Sequence, residues 1–153
     1  MNEDWNEFDS ISPYSDEEAV AALGKLADHP VVSEVSKSLF PKEKEDYLRN
    51  VLKNIKSIDE FQTLVMAKAV AWVLDHTAHN FSYDGIANFK KINGRFLALS
   101  NHRDIILDPA ITQVVLYQNG MQTTEIAVGS NLLSNPYVEA LIRSNRMIKV
   151  IRG

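Results

Sequence analysis

Apolar and polar positions along the chain follow two different patterns, one before Asn80 and one after it. Ser15-Asp16-Glu17-Glu18 has the form of a capping box, because the Ser15 hydroxyl can accept from the Glu18 amide while the Glu18 carboxylate reaches back. It predicts a helix to about Asp28, stopped by Pro30, and a short helical piece over 31–39 should follow. Pro41 suits the first turn of another helix, running to about Lys56, on which Tyr47, Leu48, Val51, Leu52 and Ile55 recur as one apolar stripe. Basic residues occupy much of its remaining surface. A second box, Ser57-x-x-Glu60, opens a run from Ile58 to about His76 that is apolar enough to be the buried helix of the group. Residues 1–14, closed by Pro13, form an acidic lead-in expected to be flexible.

After Asn80 the runs shorten. "FLALS" (Phe96 to Ser100), bounded by Asn93-Gly94 and Asn101, has the form of a buried strand. "ITQVVLY" after Pro109 predicts a helix ending near Asn119-Gly120. "EIAV" (Glu125 to Val128) predicts a strand, Pro136 opens another helix, and "MIKVI" (Met147 to Ile151) predicts a last strand. The order β-α-β-α-β calls for a parallel or mostly parallel sheet with crossover helices. The expected organisation is therefore α/β: a helical region over 15–79, then a sheet-containing region over 80–153.

Composition narrows the function classes. A chain of 153 residues with 45% hydrophobic content suits one ordinary globular domain. It has no cysteine, so disulfides and thiolate metal sites are unavailable, as fits a reducing cytoplasm. The acidic start lacks the positive segment of a signal peptide, and the longest apolar stretch is too short and too interrupted to span a bilayer. The net charge of -4 conceals an asymmetry. Seven of the 20 acidic residues fall in the first 18 positions without a basic one, which leaves the body 16 basic against 13 acidic residues, a net of +3. Such a body is compatible with anionic substrates or an anionic lipid surface, and its excess is too small to argue for nucleic acid.

Candidate chemistry centres on His102-Arg103-Asp104 within "SNHRDIILDPA". A protein-kinase catalytic loop would place a metal-binding Asn five residues after the Asp. That position is Pro109, and neither a Gly-rich loop nor a strand lysine precedes His102. The alternative is a histidine that acts as the base itself, at a strand end where loops diverge and a helix N-terminus presents free amides. Such a base needs a carboxylate on one ring nitrogen to fix its tautomer, and both Asp104 and Asp108 are candidates. Asp108 also stands where it could cap the Pro109 helix. His76-x-x-His79 could place two imidazoles on one helix face, but without a third ligand it reads as a histidine-rich helix C-terminus.

"ALSNHRDIILDPA" resembles the first motif of the glycerolipid acyltransferase superfamily, which includes glycerol-3-phosphate and 1-acylglycerol-3-phosphate acyltransferases. The usual H-x-x-x-x-D spacing would put the aspartate at Leu107. Asp108 lies one further on, which is similar to a Bacteroidetes-type branch with H-x-x-x-x-x-D spacing. "PYVEALIRSNRMIKVIR" resembles the second motif in its proline, strand and final arginine; it departs at Glu139 and Arg146, where glycines are usual, and at Gly129, where a lysine is common.

The resemblance covers roughly residues 82–153. It implies transfer of a fatty acyl group from acyl-CoA or acyl carrier protein to a hydroxyl of a glycerol-phosphate or lysophospholipid acceptor, in phospholipid biosynthesis. His102 would be the general base and Asp108 its orienter. Arg152 would hold the anionic acceptor, with Asn101 and Arg103 shaping the site. No metal or cofactor is implied, because the thioester is already activated. It implies a cytoplasmic protein in peripheral contact with the inner face of the membrane. Third and fourth motifs of the family do not follow Gly153, which implies the N-terminal part of a longer enzyme. A competing expectation is a non-catalytic module whose Pro41 helix binds a membrane or a partner.

Overall fold

The computed structural model describes residues 5–151. Its elements are helices α1 (Trp5–Ile11), α2 (Asp16–Leu26), α3 (Val31–Leu39), α4 (Tyr47–Asn54), α5 (Ile58–Phe61), α6 (Ala67–Thr77), α7 (Ile86–Phe89), α8 (Leu107–Gln118) and α9 (Pro136–Arg143), and strands β1 (Ile126–Gly129) and β2 (Met147–Val150). A π-helical stretch, Gln62–Met66, joins α5 to α6, and a 3-10 turn, Ser130–Leu132, follows β1. The protein is thus helix-rich, with one small parallel sheet. Among the described residues no helix is long and apolar enough to cross a membrane.

The chain forms two compact units. One is built from residues up to Ala69 together with those from Glu125 on, and the other from Val70–Thr124. The division falls elsewhere than the boundary expected at 79/80. The reason lies in what α9 and the residues beside it touch. Arg143, in the last turn of α9, donates from Nε to the Ser12 carbonyl (2.9 Å) and from Nη2 to the Asp9 carbonyl (2.7 Å), with its guanidinium 4.3 Å from the Tyr14 ring centroid. The Tyr14 amide donates in turn to the Arg143 carbonyl at 3.1 Å. The lead-in expected to be flexible therefore contains α1 and is fastened to the last helix.

Local signals explain the starts of α2 and α5. Ser15 and Glu18 make both halves of the capping box, and Ser57 accepts from the Glu60 amide at 3.2 Å. Glu60 reaches back one residue further than expected, to the Lys56 amide at 2.8 Å. The free Ile58 amide is satisfied by Asp16 Oδ1 at 2.8 Å, which ties the start of α5 to the start of α2. The Pro41 helix begins later than expected. Residues 41–46 form successive turns, with Glu43 donating to the Phe40 carbonyl and Tyr47 to the Lys44 carbonyl, both at 2.9 Å.

The α4 stripe faces the core. Leu48, Leu52 and Ile55 are buried together with Leu23, Val32, Phe40 and Phe61, and Tyr47 and Val51 pack against them. The competing expectation of a membrane-binding face on this helix thus loses its apolar surface. The apolar run after Ser57 supplies Phe61, Val65 and Ala69 to the same core.

The sheet is the second departure. β1 and β2 pair in parallel, with Ile126 opposite Met147 and Gly129 opposite Val150, and α9 is their crossover. Phe96–Ser100 forms no strand. An apolar run becomes a buried strand only where neighbours take its amides and cover its faces, and here all five residues are exposed, Leu97 at 84% and Leu99 at 89%. The observed order is β-α-β, not β-α-β-α-β.

Arg146 leads into β2 at φ +57°, a left-handed conformation that costs a side-chain-bearing residue about 1–2 kcal/mol. It is held there by an ion pair from Nη2 to Asp59 Oδ1 at 2.7 Å. Arg146→Gly should therefore unfold in urea within about 1 kcal/mol of the wild type, while Arg146→Ala, which loses the ion pair and keeps the strain, should be less stable than the glycine variant by about 1 kcal/mol. Arg143→Lys should speed amide exchange across α1, losing about 1–3 kcal/mol of local stability, because an ammonium cannot reach both carbonyls as the guanidinium fork does.

Candidate functional site

Asn101, His102, Arg103 and Asp104 lie in the second unit, in an exposed stretch without regular structure that leads into α8. The geometry of this turn is set by two carboxylates. Asp104 Oδ1 accepts from the amides of Ile106 (2.8 Å) and Leu107 (2.7 Å), satisfying donors that the first turn of a helix leaves free. Asp108 reaches back, its Oδ2 accepting from the amides of Arg103 (2.6 Å) and Asp104 (3.1 Å). Together they make a reciprocal lock like a capping box, displaced one residue toward the helix interior.

Among the described residues neither carboxylate hydrogen-bonds the His102 ring, so the expected pairing of Asp108 with His102 is absent from this structure. Asp108 spends an oxygen on main-chain amides, which are the nearer donors in a turn this tight. The Asp104 carboxyl is held below the usual value of 3.8, first by the Leu107 amide, then by the Ile106 amide, and to a smaller extent by the charge of His102. Both aspartates thus fix the turn through main-chain amides, and Asp104 is in addition the one whose carboxyl feels the charge of His102.

The remaining expected site residues are distributed as follows. The Asn101 carbonyl accepts from the Ser100 hydroxyl at 2.9 Å. Arg103 is exposed and uses its amide, not its guanidinium, in the Asp108 lock. Arg152 lies outside the described residues.

Farther along α8, Gln113 and Thr124 are joined by hydrogen bonds in both directions, the Thr124 amide donating to Gln113 Oε1 at 2.7 Å and Gln113 Nε2 donating to the Thr124 hydroxyl at 3.0 Å. Asn119 Nδ2 donates to the Tyr83 hydroxyl at 2.9 Å. These bonds hold α8 within its unit and with it the turn that presents His102.

Of the two histidines expected on one helix face, His76 is engaged within α6 itself. His76 Nδ1 donates to the Trp72 carbonyl at 2.7 Å, and its ring stacks on Trp72 at 4.3 Å between centroids. No group of three potential ligands occurs among the described residues.

Comparison with known proteins adds no neighbour: no family model, curated protein or solved structure matches the chain.

The capping role of Asp104 has a pH signature. A carboxyl whose folded value is depressed contributes stability that is complete above its unfolded value, here 3.8, and is lost as pH falls through the lower folded value. In an NMR titration the Ile106 and Leu107 amide shifts should therefore stay constant from neutrality to about pH 4 and move together below it, and Asp104→Ala should abolish that step.

Proposed function

We propose that the protein is a glycerolipid O-acyltransferase in which His102 is the general base. The observation that carries this reading is the locked turn, which holds an exposed histidine beside an ionised Asp104 while Asp108 fixes the backbone on which both stand. A second support is the left-handed backbone at Arg146, the place where the acyltransferase pattern has glycine. A third is the parallel pairing of β1 and β2 across α9, the connection that an acyltransferase domain with a mostly parallel sheet would contain.

In the proposed reaction His102 takes the proton of an acceptor hydroxyl as its oxygen attacks the thioester carbonyl of acyl-CoA or acyl carrier protein. The tetrahedral intermediate collapses with cleavage of the carbon–sulfur bond. The departing thiolate receives the proton from the imidazolium, and the ester is the product. Asp104 supplies the negative charge that stabilises the imidazolium, and Asp108 acts as a positioning residue through the amides of Arg103 and Asp104. Asn101 and Arg103 border the acceptor. Arg152 is proposed to bind its phosphate, for which the planar guanidinium is suited. The acceptor is a glycerol phosphate or a lysophospholipid, and the protein works on the cytoplasmic face of the membrane as a peripheral protein.

The absence of cysteine from the chain makes the test clean, since a thiol reagent reads only released CoA. The full chain incubated with palmitoyl-CoA and either glycerol 3-phosphate or lysophosphatidic acid should release thiol in an acceptor-dependent manner. His102→Ala should lose about two to four decades of rate with an unchanged circular dichroism spectrum. Asp104→Asn, which can still cap the helix but carries no charge, should retain the fold and lose rate. A wild-type chain without acceptor-dependent release, or a His102→Ala variant with wild-type turnover, would refute the assignment.

A further inference from the structure

The longest unbroken exposed stretch among the described residues runs from Lys90 to Ile106, seventeen consecutive positions. Its composition is not that of an ordinary solvated loop. Ile92, Phe96, Leu97, Leu99, Ile105 and Ile106 are all exposed, three of them by more than three quarters of their surface. Lys90, Lys91, Arg95 and Arg103 stand among them against a single acid, Asp104, for a net charge of +3. None of these four basic residues forms an ion pair with a described residue, whereas Lys37, Lys53, Arg143, Arg146 and Lys149 all do.

We propose that this segment docks the protein on an anionic lipid bilayer, with the aliphatic side chains seated at the boundary between headgroups and acyl chains and the four cations among lipid phosphates. Large apolar side chains left exposed together along one stretch of chain point to an interaction site. Exposed leucine, isoleucine and Phe96 side chains interspersed with four cations that have no ion-pair partner among the described residues are the composition of a segment lying at an anionic lipid interface, and the two lysines weigh against the centre of a protein interface, which is depleted in lysine.

Depth follows from the backbone. Among the described residues no main-chain hydrogen bond involves positions 93–100, and unpaired amides cannot enter hydrocarbon without a large cost. The segment therefore lies in the interfacial layer, where lipid phosphates and water satisfy its amides. Because His102 belongs to the same segment, docking would set the candidate base at the level of lipid headgroups. The proposal deepens the acyltransferase reading by specifying its surface, but it does not need turnover to be tested.

The full chain is mixed with vesicles of phosphatidylcholine alone or of equimolar phosphatidylcholine and phosphatidylglycerol, and bound protein is separated by flotation. Binding to the anionic vesicles, weakening as salt is raised, is expected. The double variant Lys90→Glu/Lys91→Glu should bind at least about tenfold more weakly, and Leu97→Asp/Leu99→Asp, which alters only exposed side chains, similarly. His102→Ala should float like the wild type. Equal binding to neutral vesicles, wild-type affinity in the leucine variant, or capture of an acidic acyl carrier protein without vesicle binding would each overturn the proposal. Loss of turnover with vesicle binding intact would sink only the acyl-transfer assignment, and loss of vesicle binding with turnover intact would sink only the docking surface.

Discussion

Two parallel strands cannot be joined by a tight turn; the chain must leave one end of the pair and return to the other. In this protein the return passes through α9, and a crossover helix has to bury a face of its own. That face is met by the N-terminal helices. Leu141 packs on the core that includes Leu23 and the wholly buried Phe61, and Arg143 fastens the segment between α1 and α2. Burial of one crossover helix thus draws the last part of the chain onto the first. The residues between them then form a unit of their own.

The elements that were legible in the sequence are those whose limits are set by neighbours in the chain. Ser15 and Glu18 announce α2, Pro30 closes it, and Pro136 opens α9, where the structure adds a cap from Asn135, its Oδ1 accepting from the Tyr137 amide at 2.8 Å. Asn119 and Gly120 end α8, the glycine taking a φ of +71°. What was not legible depends on distant partners. "FLALS" has the composition of a buried strand, but composition carries no information on whether another strand offers its amides. Arg143 looks like any helix-end arginine, since its partners are main-chain carbonyls more than 130 positions away, which have no side-chain signature.

The same distinction applies to the candidate site. That His102, Asp104 and Asp108 belong to one turn is evident from their spacing alone. Which lone pair goes to which donor is not, because amides and a ring nitrogen compete for the same carboxylate oxygens. The structure resolves the competition in favour of the amides, and this changes how the histidine is held. A ring hydrogen bond would fix the tautomer of the imidazole, whereas the observed lock fixes only the backbone from which the ring projects. The charge of Asp104 beside the ring is then an electrostatic bias without a directional constraint.

The discontinuous first unit has a consequence for proteolysis. Exposed, unpaired main chain is where proteases cut first, and Lys90, Lys91, Arg95 and Arg103 place four trypsin sites in the longest exposed stretch. A single nick there would divide the polypeptide into two fragments, one bearing α2 to α5 and the other bearing β1, α9 and β2. Neither piece holds the whole first unit. The fragments would nonetheless stay together, joined by the α2–α9 contact and the Arg143 clamp, so the nicked protein would behave as a complementing pair whose integrity rests on buried side chains and no longer on the peptide bond.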